Sequence, residues 1–588
     1  MMVIGRITRV DGIRAAAVFF ERMQPHLVSR GIVNSAPRIN SFVETGVGFD
    51  KVVCQIVGEH EAEYDKRNEV NQAEHVIPDG GFVVDLEVRG HITGGKFLGG
   101  LRCLPIVGAT VETIEDKNLE LLYSSNGSKP MPIGHSLFDE TQTVYLDMGK
   151  LIASHIGIFG NTGSGKSNTL ACIMNKYLRN VPNGSDKARV IIFDLNNEYG
   201  GDAVIEAKCK KVYHLNTRKQ GGGDRIPIDL NNLDVDSWGT ILRATQKTQM
   251  PVVRRAFRRW KEYSAADMVD EIKKSLLDKR STLFFTLRDY CSNYIFGIDG
   301  IAFNHKNPGF YYPGTTQHYI NGSEDISPIS IDNKLSSLQR FYLCLAFEVS
   351  RAAESGTNYD YVQPLLPRAK AVVRDLEKLF EHRERFDLSG VFDGRNCVVI
   401  QLGDVNESSR EMLPSLLSEL VMKDAEVAKG DGRPKRITTI VIDEAHNLLG
   451  YDDSKSDLVH GNTLRVFERV IKEGRKFGVF LCIASQRPSD ISATITSQIH
   501  NYFIHKLVNP NDVERIRRTV SFMGEGSLSM LSALGQGECI ISGPSLYMPQ
   551  YVYIEQLDVR NQPNSSDIRL YGKDGLFVDG QFDSGCPF

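Results

Sequence analysis

The 588-residue sequence predicts an α/β fold, and three observations predict it. Compact apolar runs at residues 156–159, 190–193, 398–402, 440–442 and 480–484 read as strands of a parallel sheet, whose two faces are both covered by helices. Helical periodicity fills several intervals between them, notably 167–179 and 410–428. A glycine-rich turn stands between the first run and the first of these helices. With 41% hydrophobic and 24% charged residues the chain has an ordinary globular composition, without internal repeats or low-complexity tracts.

A chain this long exceeds what one core organises, so several units are expected. Residues 1–135 carry short β-like runs, such as 52–57 and 82–88, and read as a small β-barrel or sandwich ending in the turn-rich stretch 124–130. Residues 136–224 then open the α/β core. Roughly two hundred residues separate the run at 190 from the run at 398, where a connection of about 2 to 6 is usual. The interval is read as an inserted helical subdomain at 225–385, from periodic stretches at 268–277 and 338–352. The core resumes over 386–556, and the polar residues 557–588 read as a C-terminal arm or tail.

A formal net charge of −4 places any nucleic-acid contact on local clusters of Lys and Arg. The ten cysteines are scattered, with no CxxC pair, which argues against a zinc site or disulfide framework and for a reducing compartment. No basic-then-apolar leader opens the chain and no stretch approaches ~18 apolar residues, so a soluble, cytoplasmic protein without a membrane segment is expected.

Gly160-Asn161-Thr162-Gly163-Ser164-Gly165-Lys166-Ser167 fits GxxxxGK[ST], after a strand and before a helix, as a phosphate-binding loop requires. Its glycines let successive N–H groups turn inward onto phosphate oxygens, and the helix presents its positive end to them. These eight residues and the adjoining Asn168 are the candidate contacts to ATP. Lys166 is set to reach the β- and γ-phosphates, and Ser167 to ligate Mg2+. The run at 440–442 ends in Asp443 and Glu444, and ligands of parallel sheets gather beyond the carboxyl ends of the strands. Asp443 is the candidate for the magnesium shell, and Glu444 for polarising the attacking water.

Gln486 ends a third strand as a candidate γ-phosphate sensor, with Arg487 and Pro488 shaping the turn. Asp194 and Glu198 end the second strand and read equally as contacts to metal, water or a neighbour and as a solvated loop. Arg475, ahead of the 480–484 strand, reads either as an arginine finger for ATP on the next subunit or as a surface ion pair. Arg254, Arg255, Arg258 and Arg259 share one helical face, which reads as solvated, subunit-facing or nucleic-acid binding. His155 and His446 flank the two motifs without the partners of a metal site and read as structural.

Together these residues resemble the HerA-type hexameric ATPases, of the same superfamily as the FtsK DNA pumps. The matching pieces are HIGIFGNTGSGKSNTL at 155–170, IIFDLNNEYG at 191–200, IVIDEAHNLL at 440–449, EGRKFGVFLCIASQRPSDI at 473–491 and GQGECIISGP at 535–544. The resemblance runs through nearly the whole chain in order and spacing. It implies a RecA-like P-loop NTPase core with an N-terminal β-barrel like the one such proteins carry, and an inserted helical bundle. It further implies a homo-hexamer around double-stranded DNA, ATP and Mg2+ at subunit interfaces, Arg475 as the finger acting in trans, and a C-terminal arm bracing the neighbour. Two features depart from the family pattern: Ser154 stands where many members carry a basic residue, and the loop 450–461 is acidic, with Asp452, Asp453 and Asp457.

The function so implied is an ATP-dependent double-stranded DNA translocase or helicase acting with a nuclease or another effector. The alternative is an ATP-regulated scaffold that assembles and activates an effector, a nuclease or sirtuin-like NADase, in an anti-phage defence complex. A membrane-coupled pump of the conjugation type is disfavoured by the lack of a membrane segment.

Overall fold

The computed structural model describes residues 2–20, 26–29, 32–61, 82–125, 127, 129–218, 222–228, 230, 233–314, 317–381, 388–430, 432–450, 460–520 and 525–564. Asp452, Asp453 and Asp457 of the acidic loop, and the tail beyond residue 564, lie outside the described residues.

Alternation of apolar and polar residues folds the N-terminal part into a closed antiparallel barrel, so of the two β architectures left open by the sequence the barrel is the one formed. Its six strands run Arg14–Phe19, Val3–Asp11, Thr110–Thr113, Phe42–Val47, Asp50–Glu61 and Phe82–Thr93, and the last returns to the first with Ala17 opposite Val84. Closure removes free edges. The interior is filled by Ile7, Ala17, Val52, Cys54, Leu86 and Val111.

The core is one sheet of eleven strands. Seven are parallel, in the order Asn501–Ile504, Ile156–Phe159, Val479–Ser485, Ile437–Ile442, Ala188–Asp194, Cys397–Gln401 and Lys210–His214. Four antiparallel strands extend it: Glu538–Ser542, Gln550–Ile554, Pro130–Ser136 and Thr143–Asp147. Consecutive side chains enter different cores, as a strand buried on both faces demands. Val190, Ile192 and Val441 join the helix Lys166–Arg179 on one face, whereas Ile191, Phe193, Ile440 and Ile442 pack with the helix Glu407–Lys429 on the other.

Between Lys210–His214 and Cys397–Gln401 lies a unit of helices, chiefly Met250–Glu262, Ala265–Leu277, Ser281–Cys291, Ser337–Glu354 and Leu365–Leu379, with small antiparallel sheets in its midst. Trp238 stacks on Phe341 at 4.2 Å and meets Trp260 edge-on at 6.0 Å. The arginine face divides: Arg254, Arg255 and Arg258 are exposed, whereas Arg259 is buried and ion-paired to Glu271 and Glu348. Among the described residues no helix is long and apolar enough to cross a membrane.

Candidate active site

The parallel register carries the ends of four strands to one crevice. Ile156–Phe159 lies between Asn501–Ile504 and Val479–Ser485, so Gly160 leaves the sheet beside Ser485 and His505. The turn is glycine-rich for two distinct reasons. A Cβ on Gly160 would fall 2.5 Å from His505 Cβ, and Gly165, the residue before the helix Lys166–Arg179, has φ +110°. His505 is the wedge beneath the loop. Its Nε2 meets Thr169 Oγ1 at 2.9 Å and its Nδ1 meets the Glu538 carbonyl at 2.8 Å, while burial pushes its pKa down to about 4. Two main-chain bonds brace the loop from the same side: Asn161 N donates to Lys506 O at 2.8 Å and Gly537 N to Ser164 O at 3.0 Å.

Lys166 is buried and donates to the Asn161 carbonyl at 2.9 Å. Burial lowers its pKa, against the opposing pull of Glu444, Asp443 and Glu198, so three carboxylates face this one ammonium. Asp443 is 3% exposed and accepts hydrogen bonds from Tyr199 OH at 2.8 Å and Glu444 N at 2.9 Å. Burial, with Glu198 and Glu444 nearby, pushes its pKa up to about 7. Glu444 sits in the left-handed region at φ +48°, a strained backbone for a non-glycine residue and one that functional sites favour. Gln486 links the two halves of the site: its Oε1 accepts from Thr162 Oγ1 at 2.6 Å, and its Nε2 donates to Glu444 Oε1 at 2.5 Å.

In the loop carrying Asp194 and Glu198 the two acids stand differently. Asp194 is buried and caps the N–H groups of Glu198 and Tyr199, both at 2.9 Å, a structural task. Glu198 faces the crevice, and burial raises its pKa, with Ser167 within hydrogen-bonding reach. Asn168 turns away and donates to the Glu555 carbonyl at 3.2 Å.

The residues present fit a magnesium ion. Glu198 and Glu444 each keep one buried carboxylate oxygen without a hydrogen bond, beside the Ser167 hydroxyl and the raised Asp443. A surplus of hard oxygen donors with too little positive charge is what such an ion relieves. Among the described residues no three His, Cys, Asp or Glu are grouped to hold an ion alone, which suits an ion taken up largely with phosphate oxygens and water.

Arg475 is not brought to this crevice. It occupies the turn Gly474–Lys476, exposed, at the amino end of Val479–Ser485, so it and Gln486 are separated by the length of the strand, about 20 Å. Its neighbours there are His155 and His500, whose rings stack at 5.9 Å.

The model of the HerA helicase central domain matches residues 131–421. The DNA double-strand break repair helicase HerA of Saccharolobus solfataricus is 27% identical over 460 residues, which cover 77% of this chain and 74% of that one. This chain is a HerA-type ATPase. A probable helicase of Methanocaldococcus jannaschii is similar to the same extent, at 26% identity over 446 residues, 75% of this chain and 70% of its own. VirB4 of Thermoanaerobacter pseudethanolicus aligns over 75% of this HerA-type chain and 100% of its own, at 16% identity and a TM-score of 0.43. The family match and the helicase relatives make the protein a P-loop enzyme that hydrolyses ATP.

Sequence reasoning passed over Tyr199, His505 and Lys210. Tyr199 was visible only as the residue after Glu198, and the buried Lys210, which holds the Tyr199 carbonyl at 2.7 Å, only as a charge opening an apolar strand. His446, taken as structural, lies with Nδ1 3.4 Å from Glu444 Oε2.

Proposed function

We propose that this HerA-type ATPase is a cytoplasmic, homo-hexameric ring that couples hydrolysis of Mg-ATP to movement along double-stranded DNA, working with a nuclease or another effector partner. The observation that carries the reading is the convergence of the 160–167 loop with Glu198, Asp443, Glu444 and Gln486 at the carboxyl ends of adjacent strands.

The loop amides and Lys166 grip the triphosphate, and closing on it requires Lys166 to exchange the Asn161 carbonyl for phosphate oxygen. Ser167 and Asp443 would hold the magnesium ion, which when bound neutralises charge on the β- and γ-phosphates. Glu444 takes a proton from the attacking water. Gln486, bonded at once to Thr162 and Glu444, reports the state of the loop to the base. Arg475 stands at the far end of its own sheet, so it serves the ATP of a neighbouring subunit. That requirement, together with the DNA named for the relatives, supports a ring around duplex DNA.

The test is ATP hydrolysis with and without duplex DNA over a range of salt, with sizing of the assembly. The proposal expects stimulation by DNA that falls steeply as salt rises. Absence of stimulation, with a partner enzyme still activated by Lys166→Ala and Glu444→Gln chains, would establish the scaffold instead.

A further inference from the structure

The crevice has two unlike flanks. In the sheet the acids Glu198, Asp443 and Glu444 follow strands on one side of Ile156–Phe159, whereas Asn501–Ile504, Glu538–Ser542 and Gln550–Ile554 lie on the other. Ile504 stands opposite Ile540, and Glu538 opposite Tyr553, so Tyr553 reaches the same end of the sheet as the phosphate loop. The other four residues of Gln550–Ile554 are buried, but Tyr553 is 41% exposed. An aromatic ring left open at this end of the sheet is available to a ligand.

Two glycines lie between that ring and the loop. Gly537 has φ +82°, its N–H donates to Ser164 O at 3.0 Å, and a Cβ on it would fall 3.1 Å from Tyr553 Cε2. A Cβ on Gly165 would in turn fall 3.2 Å from the Gly537 N and Cα atoms. Bare backbone at both positions lets the ring approach the amino end of the helix Lys166–Arg179. The chain beyond Tyr553 continues beside that helix: Asn168 Nδ2 donates to the Glu555 carbonyl at 3.2 Å, and Lys176 pairs with the Glu555 carboxylate.

We infer that the exposed ring of Tyr553 is the platform on which the base of ATP stacks. That role rests on the triphosphate being held by the 160–167 loop, as read above. The acids mark the γ-phosphate end of the site, so the nucleoside leaves the loop on the opposite flank, where the turn 535–537 and Tyr553 stand. Main-chain amides and Lys166 grip phosphate alone, and would hold inorganic triphosphate as readily as a nucleotide. The base brings a flat apolar face, and stacking on an aromatic ring is the interaction that distinguishes the two ligands. Stacking engages the face of the base and leaves its hydrogen-bonding edge unread, so Tyr553 sets the affinity for a purine and does not choose between adenine and guanine.

Binding of Mg-ADP and of inorganic triphosphate by the full-length protein tests this. Tyr553→Ala is expected to weaken ADP about tenfold or more and to leave inorganic triphosphate unchanged, while Tyr553→Phe, which keeps the ring, binds both as wild type does. Unchanged ADP affinity in Tyr553→Ala overturns the inference, and so does an equal loss of both ligands, which would make the ring a prop of the loop. Should the alanine chain fail to fold, Tyr553→Trp places a fluorescent ring at the same point. Its emission is expected to be quenched by ADP and not by inorganic triphosphate, and emission indifferent to ADP overturns the platform equally. Lys166→Ala separates the two levels: a chain that still binds both ligands normally sinks the reading of the loop, whereas loss of both there beside normal ADP binding by Tyr553→Ala sinks only the platform.

Discussion

The two ends of the same parallel strands are chemically opposite. At the carboxyl ends Glu198, Asp443 and Glu444 crowd around the Lys166 ammonium. At the amino ends His155 and His500 stand beside Arg475, and burial, with the positive neighbour adding to it, disfavours a proton on either ring. An ATP site that draws on both sets needs two molecules, the amino end of one against the carboxyl end of the next. Contacts of that head-to-tail kind close into rings where the rotation between neighbours closes, and open into filaments where it does not. In the proposed assembly one chain holds two halves of different sites.

The largest expected effect lies at the acidic end. Glu444→Gln should lower hydrolysis by about 10⁴-fold while ATP is still retained, whereas Lys166→Ala should lose ATP itself, as phosphate release and filter binding will show. At the basic end Arg475→Ala should cost about 10³-fold with ATP retained. Mixing Arg475→Ala chains with Glu444→Gln chains sharpens the comparison, because some interfaces then pair an intact Arg475 with an intact Glu444. Activity should partly return in the mixture, and its failure to do so would break the division of the site between neighbours.

Tyr199→Phe removes the hydrogen bond on Asp443 Oδ2 and should raise the Mg2+ concentration for half-maximal activity by about tenfold, an effect of ~1.4 kcal/mol. A further effect is one of pH. Burial pushes the His155 pKa down to about 4 from the usual 6.5, so in acid the unfolded chain binds a proton that the folded chain refuses. Its contribution to stability is undiminished above pH 6.5 and falls as the pH drops toward 4. His155→Asn keeps an acceptor for the Leu481 N–H without a titrating ring, and between about pH 7 and pH 5 its unfolding free energy in urea should fall less than that of wild type, by roughly 2 kcal/mol.

Much of the acidic end was legible, because a strand, a turn and a helix contiguous in sequence determine the 160–167 loop, and because Asp443 and Glu444 end a run too apolar to be anything but a buried strand. The rest depended on contacts between distant residues. Tyr199 reaches Asp443 across 244 positions and His505 reaches Thr169 across 336, which no local pattern announces. Pro130–Ser136 and Lys210–His214 escaped notice because their apolar residues are interrupted by Pro, Gly, Lys and His. The arginine face misled for a further reason: periodicity grouped Arg259 with its exposed neighbours, while Glu271 and Glu348, which bury it, come from other helices.

The sheet that holds the phosphate loop is finished by strands from the last part of the core. Ile156–Phe159 pairs with Asn501–Ile504, and Pro130–Ser136 with Gln550–Ile554. During synthesis on the ribosome the loop thus waits, translated but unsupported, for most of the time the chain is being made. A message cut short before codon 500 would yield a product that carries the 160–167 loop and the Asp443–Glu444 pair but lacks the His505 wedge beneath the loop, and weak retention of ATP is the expected outcome.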